Sequence, residues 1–250
     1  MAVNRGSPEW YAQLYADARA GSSKVMWDHG EPTPYLLDWL GERFAAGGRR
    51  GRAVVIGCAY GDDAEPVASY GFDVTAFDVS VTAVEIALTR NPGSAVDYRH
   101  ADVVDLPSEW LGAFDLVIEC TTLQSLPPEL HEAAATSVAS LCALDGEVLV
   151  IARCPSEVDP PGPPWLLTEQ EVGRVAVDGV RLTRLRRIPM RGGDRWVGSS
   201  HARVQVASSE PIGDLRQPLA ARLPAGGNGR LQRRRMPSSR AGHSTTRPTP

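Results

Sequence analysis

The residues with the clearest chemical content form a short stretch, Gly57-Cys58-Ala59-Tyr60-Gly61-Asp62-Asp63-Ala64, directly after the apolar run Ala53-Val54-Val55-Ile56. A strand that runs into such a turn and then into a helix is where an open parallel sheet receives a ligand. Gly57 lets the chain turn off the strand, Ala59 keeps the loop thin enough for a ligand to approach backbone, and Gly61 admits an unusual φ before the helix. Taken alone, the stretch also fits a plain β–α turn. Asp78 lies 21 positions after Gly57, at the end of the next apolar run. There a carboxylate can accept hydrogen bonds from both hydroxyls of a ribose, although a helix N-cap would also put an acid at that point. In His100-Ala101-Asp102-Val103, Asp102 follows a third run and can accept from an adenine amino group. Glycine-rich or acidic features at three successive strand ends make a nucleoside pocket.

The charge of the loop decides which nucleoside. A dinucleotide site reads G-x-G-x-x-G, with small residues admitting a pyrophosphate to the helix N-terminus. The corresponding positions are Gly57, Ala59 and Asp62, with Asp63 next. A pyrophosphate would meet negative charge there instead of bare N–H groups. S-adenosylmethionine carries ribose and adenine without phosphate, plus a sulfonium and an ammonium, and suits an acidic pocket.

These residues need a parallel sheet to position them. Short β-branched runs alternate with helical patterns, as in βαβ units. The expected strands are Ala53–Gly57, Asp73–Phe77, Val96–His100, Phe114–Glu119 and Glu147–Ala152, with Val180–Arg186 and Ala202–Val206 completing the edge. Helices are expected over Asp62–Tyr70, Val81–Thr89 and Pro128–Leu141. Upstream, Ser7-Pro8 opens a helix with Trp10, Leu14 and Ala18 at i, i+4, i+8, and a second helix covers Tyr35–Phe44. The expectation is an α/β fold: a Rossmann-like, doubly wound, seven-stranded and mostly parallel sheet. Residues 1–50 would be an N-terminal helical cap, 51–208 the S-adenosylmethionine-binding core, and 209–250 a disordered basic tail.

Composition agrees with an enzyme-sized globular chain: 250 residues, 42% hydrophobic, 22% charged, net charge −4. No apolar run is long enough to cross a bilayer, and no basic-then-apolar leader opens the chain, so a cytoplasmic location is expected. Cys58, Cys120, Cys142 and Cys154 show neither zinc spacing nor a disulfide framework, so no metal is expected and the thiols read as reduced. Residues 210–250 hold eight arginines against Glu210 and Asp214, leaving the rest of the chain strongly acidic. That segment is Pro, Gly, Arg and Ser with scarcely any aromatic or β-branched residue, too little apolar surface to offset ordering entropy. Arg233-Arg234-Arg235 lacks interleaved aromatics, so a solvated run is expected rather than a nucleic-acid arm. Nothing indicates the oligomeric state.

The loop from Gly57 to Ala64, the run Gly71-Phe72-Asp73-Val74-Thr75-Ala76-Phe77-Asp78-Val79-Ser80 and Ala83-Val84 together resemble class I S-adenosylmethionine-dependent methyltransferases. More narrowly, the first motif resembles the G-C-G-x-G-x-D-A of the thiopurine, thiol and halide methyltransferase group. Trp27-Asp28-His29-Gly30-Glu31-Pro32-Thr33-Pro34 is similar to that group's W-D-x-G-x-P-x-P segment, and Pro161-Gly162-Pro163-Pro164-Trp165 to its G-P-P-W stretch. The likeness covers roughly residues 10–208. Val55 stands where many class I enzymes carry an acid, Ala59 replaces the middle glycine, and the longer insertions usual in thiopurine-active members are missing. The resemblance implies that Gly57, Cys58, Ala59 and Gly61 line the methionine end of S-adenosylmethionine. It puts Asp78 with Val79 at the ribose, and Asp102 with Val103 at the adenine. Glu119 and Thr121 would face the sulfonium and the methyl acceptor, and Trp27 would close over the pocket, although an indole there also fits an anchor of the cap against the sheet.

Methyl transfer from a sulfonium is an in-line displacement that asks mainly for orientation and desolvation. A thiolate or halide acceptor needs no general base. Glu119, His131 and His29 are conceivable bases for a neutral acceptor, none with a spacing that demands it, so no catalytic residue is assigned. Glu119 is expected to stay ionised beside a cationic cofactor. Cys58 precedes a helix, where a thiol pKa can fall, but reads first as packing, as does Cys120. Trp39, Trp110 and Trp196 read as packing or rim aromatics. The expected activity is therefore methylation of a small molecule by S-adenosylmethionine. An NAD-linked oxidoreductase, disfavoured by Asp62, and a non-catalytic S-adenosylmethionine binder are the alternatives. Truncation after Ser208 is expected to leave the melting temperature essentially unchanged; a large fall in a thermal denaturation scan would show that the tail packs on the body.

Overall fold

The computed structural model describes residues 4–156, 161–177, 179–189 and 193–202, all within one compact unit. Seven strands form one sheet: β1 Arg52–Ile56, β2 Asp73–Asp78, β3 Asp97–His100, β4 Phe114–Cys120, β5 Cys142–Arg153, β6 Val180–Ile188 and β7 Arg195–Ala202. Their order is β3-β2-β1-β4-β5-β7-β6. The first five are parallel, while β7 runs antiparallel between β5 and β6. Strand order reverses between β1 and β4, which places the ligand crevice over the carboxyl ends of these two strands.

Six helices accompany the sheet: α1 Pro8–Arg19, α2 Pro34–Ala45, α3 Ala64–Ser69, α4 Val81–Arg90, α5 His131–Ser140 and α6 Glu169–Val172. Successive strand side chains point to opposite faces. Ala53 and Val55 thus meet Leu36, Trp39 and Leu40 of α2, Val67 of α3 and Val84 of α4 on one face. On the other face Val54, Val117, Val148 and Val150 meet Ala134, Ala135 and Val138 of α5. Parallel strands covered on both sides read as continuous apolar runs, which is why Ala53–Ile56 was legible. Each fully buried Leu or Ile, such as Leu116 and Ile118, contributes about 1.5–3 kcal/mol. Trp39 lies in the first core, and Trp110 and Trp196 pack against the second.

Several elements differ from the sequence expectation. The expected strand Ala202–Val206 is displaced: the strand that pairs with β5 is Arg195–Ala202, and residues 203–206, like the tail, lie outside the described residues. Gly198, Ser199 and Ser200 are poor strand formers in isolation. Here Gly198 sits under a close neighbour, since a Cβ at that position would come 3.1 Å from Leu185 Cδ1 and would ask that side chain to shift by a few tenths of an ångström. The buried stripe of α1 is Tyr11 and Tyr15, one position beyond Trp10 and Leu14, which are half-buried. The helix expected from Pro128 begins as a 3-10 turn, Pro128–Leu130, and becomes α5 at His131. Ser7 caps α1 by accepting from the Trp10 N–H, as its position before Pro8 suggests. No helix among the described residues is long and apolar enough to cross a membrane.

Candidate functional site

The tips of β1, β2, β3 and β4 meet at one end of the sheet, and the backbone there is shaped by close approach. Gly57 has φ 61°, and a Cβ on it would fall 2.3 Å from the Thr122 hydroxyl, which itself donates to the Ile56 carbonyl. Gly61, at φ 94°, is held by its neighbour: a Cβ would lie 2.2 Å from the Tyr98 hydroxyl. Between them Ala59 takes φ 47°, a left-handed conformation that costs an L-residue about 1–2 kcal/mol. The middle glycine of related motifs would avoid that cost. Cys58 is buried, its N–H bonded to the Phe77 carbonyl and its thiol pushed up by burial, so it is a packing residue.

Asp78 explains how Ala59 is held. Its Oδ2 accepts the Ala59 N–H at 2.9 Å, and its Oδ1 accepts the Ser80 N–H at 2.9 Å. The carboxylate is 5% exposed, and burial pushes its pKa to about 6 despite these bonds. Each carboxylate oxygen keeps a second lone pair, so the group can still accept from a ligand. Ala101 N–H bonds to the Asp78 carbonyl, which brings the β3 tip alongside. There Asp102 is half-buried and accepts the Val104 N–H, while Val103 is buried in the core. The Val79 carbonyl lies 3.1 Å from His100 Nε2.

An aromatic cover lies against this loop. Tyr11, Tyr15, Tyr60 and Ala83 form a buried cluster with Ala59 and Val79 packed on it. Trp27 joins by donating its indole N–H to the Tyr15 hydroxyl at 3.0 Å, with its ring edge-on to Tyr11 and Tyr15. The segment carrying Trp27 is clipped at two points. Asp28 makes a bidentate pair with Arg90, whose guanidinium sits 4.1 Å over the Tyr60 ring. Thr33 gives its N–H and hydroxyl to the Asp63 carboxylate at 2.6 and 3.0 Å. Asp63 therefore belongs to the cover, while the half-buried Asp62, its pKa raised by burial and by Asp28, keeps the loop acidic. Sequence reasoning missed Tyr11, Tyr15, Asp28 and Arg90. The i, i+4 tyrosines were the available signal.

At the β4 tip, Glu119 is fully buried. Its Oε1 accepts the Leu123 N–H at 2.8 Å, and its Oε2 has no hydrogen-bond partner among the described residues. Burial pushes its pKa to about 7, so without a cation beside it the ionised form expected from the sequence is only about half populated at neutral pH. Thr121 follows at φ 63°, an uncommon conformation for a β-branched residue, fixed by its N–H to the Ile151 carbonyl and its carbonyl to the Ser125 hydroxyl. His131 is buried against the Leu126 carbonyl, and His29 is exposed. Trp165 of the Gly-Pro-Pro-Trp stretch bonds through its N–H to the Gln124 carbonyl behind the same tip. A cleft of about 530 Å³ lies at the opposite end of the sheet, and its charges pair with one another, Arg43 with Glu147 and Arg184 with Glu42.

Both buried carboxyls are held above their unfolded values, 3.8 for Asp78 and 4.5 for Glu119. The folded chain therefore keeps protons that the unfolded chain releases. This stabilisation is complete below about pH 4 and is lost as the pH rises through 6 to 7. Glu119→Gln, which cannot ionise, is expected to gain on wild type by on the order of 2–3 kcal/mol between pH 5 and pH 8.5 in urea denaturation. A stability difference independent of pH would show that Glu119 ionises as an ordinary carboxyl.

A family model described as thiopurine S-methyltransferase matches residues 16–191. A curated ubiquinone biosynthesis O-methyltransferase from Aromatoleum aromaticum is 32% identical over 107 residues, 42% of this chain and 45% of that protein. The chain spans about half the length of the curated relatives it matches. Among solved structures, a protein from work on conversion of a disulfide bond into a thioacetal group in echinomycin biosynthesis has TM-score 0.64 at 21% identity. It covers 77% of this chain and 91% of its own. The N-methyltransferase NodS of Bradyrhizobium japonicum, solved with S-adenosylhomocysteine, has TM-score 0.59 at 16% identity, covering 76% and 98%. At such identities these likenesses bear on the fold. With the family match extending over more than half of its length, the chain belongs to the thiopurine S-methyltransferase family, within the class I S-adenosylmethionine-dependent methyltransferases.

Proposed function

We propose that the chain transfers the methyl group of S-adenosylmethionine to a small molecule, with a thiol or another soft nucleophile as the preferred acceptor. The observation that carries this reading is the buried Glu119 oxygen without a partner beside an acidic, glycine-bearing loop: it suits a cationic nucleoside and disfavours a pyrophosphate. Bound S-adenosylmethionine supplies an activated methyl group on a sulfonium that leaves as a neutral thioether. The chain's own residues orient and enclose. Asp78, with Val79, takes the ribose hydroxyls on its remaining lone pairs, and Asp102 with Val103 takes the adenine. The crook of Gly57, Cys58, Ala59 and Gly61 receives the methionine end. Trp27, braced by Tyr15, excludes water from above, and an indole near a sulfonium adds about 0.5–2 kcal/mol of cation–π attraction. Thr121 faces the acceptor. The four free cysteines accord with a reducing, cytoplasmic setting.

A phenolic oxygen acceptor is the second reading, because the curated relatives are O-methyltransferases. Assaying release of S-adenosylhomocysteine over thiols, halides, phenols and amines separates the two: turnover confined to thiols and halides supports the first. Tight binding of NADH with none of S-adenosylhomocysteine would remove both. Cofactor binding without turnover across the panel would leave a non-catalytic binder. Asp78→Ala is expected to weaken S-adenosylhomocysteine binding in calorimetry by about 1.5–3 kcal/mol, the usual worth of charged hydrogen bonds. Unchanged affinity would leave Asp78 only its tie between Ala59 and Ser80.

A further inference from the structure

Among the described residues, the surroundings of Glu119 supply no counter-charge. In register beside it stand Ile56 of β1 and Val150 of β5, and the turn that follows presents Thr122 and Leu123. The nearby titratable groups on packed elements are already engaged. Tyr11 of α1 donates to the Ser125 carbonyl, and His131 of α5 is bound to the Leu126 carbonyl and lies 3.6 Å from Glu171. Asp78 is held by Ala59 and Ser80. Cys120, next along β4, points to the other face, where its thiol lies 3.4 Å from the Thr33 hydroxyl. The Leu123 and Thr122 N–H groups lower the Glu119 pKa but do not offset its burial, and Oε2 has no partner within hydrogen-bond geometry among the described residues, whereas a carboxylic acid at the same place carries no net charge to solvate. The position is beside the loop assigned above to the methionine end of the cofactor.

We propose that Glu119 is a proton-coupled counter-ion for the cofactor: protonated in the ligand-free chain, and ionised when the ammonium or the sulfonium of S-adenosylmethionine lies against Oε2. This rests on the cofactor reading above and adds a proton to it. On binding, the O–H bond of the acid breaks, its electron pair stays on the carboxylate, and the proton passes to buffer. Burial already holds Glu119 where such a switch works near neutrality, with a pKa of about 7. Apparent affinity then rises with pH, by up to about tenfold per unit on the acid side of that titration, opposite in sign to the stability of the ligand-free chain.

The test is calorimetric titration of the full chain with S-adenosylhomocysteine and with S-adenosylmethionine, in two buffers of different ionisation enthalpy. The expected release approaches one proton near pH 6, is about half of one near pH 7 and falls toward none by about pH 8.5. Asp78 contributes below neutrality, so the deciding comparison is at pH 7, where Glu119→Gln should lose most of the release. Equal release with both ligands assigns the partner as the ammonium; release with S-adenosylmethionine alone assigns the sulfonium. Binding without proton release in wild type, or undiminished release in Glu119→Gln, overturns the proposal and leaves the cofactor reading standing. Failure of wild type to bind either ligand removes that reading and this proposal with it. Should the variant not fold, the infrared difference spectrum of wild type at pH 7 decides. Loss of a protonated-carboxyl carbonyl band on ligand addition supports the proposal, and its absence overturns it.

Discussion

The site is organised by one buried carboxylate that holds two strand tips together. Asp78 ends β2, yet its two oxygens accept backbone N–H groups from the β1 loop at Ala59 and from the start of α4 at Ser80. Without that acceptor, the left-handed turn at Ala59 would leave a buried N–H unpaired, at a cost of about 1–3 kcal/mol. The β3 tip then attaches to the same point through the Asp78 carbonyl. The geometry of the nucleoside loop is thus a consequence of where β2 ends, and β2 ends there because its apolar run, buried on both faces, stops at Asp78. The residue that orders the loop is thus the one proposed above for the ribose.

That arrangement also fixes the charge a ligand can carry. A phosphate-binding loop exposes N–H groups to its ligand; here the Ala59 and Ser80 N–H groups are spent on Asp78, and Asp62 adds a further acid. Neither carboxyl is comfortable as an anion, since burial raises both Asp78 and Glu119. A cation relieves the strain and an anion compounds it. The preference for a sulfonium nucleoside over a dinucleotide therefore follows from desolvation as well as from the missing third glycine.

Much of this was legible in the sequence. Strands β1, β2 and β4 are largely apolar runs that give way to Gly57, to Asp78 and to Glu119-Cys120, and these stops mark the end of the sheet at which the candidate site lies. Less legible were features set by packing across the chain. The α1 stripe falls on Tyr11 and Tyr15 because their hydroxyls find Ser125 and Trp27 as partners, which no hydrophobicity pattern registers. Strand β7 hides behind Gly198-Ser199-Ser200, of which Gly198 lies close under Leu185 of the neighbouring strand. The Asp28–Arg90 pair spans distant stretches of chain and has no local signature.

The two non-glycine residues that bend into the left-handed region beside the site, Ala59 and Thr121, sit at the tips of the strands between which sheet order reverses. Conformations of this kind survive where the surroundings over-determine them. Ala59 is held by Asp78, and Thr121 by Ile151 on one side and Ser125 on the other. Between these two tips Gly57 passes so close to Thr122 that no side chain fits. The cover is held by side chains instead: Trp27 by the Tyr15 hydroxyl and by the rings of Tyr11 and Tyr15, and its segment by two clips, Asp28 to Arg90 and Thr33 to Asp63. In the proposed reading, nucleoside recognition accordingly belongs to the strand tips, whose shape the backbone sets, and enclosure of the ligand to the clipped segment above them.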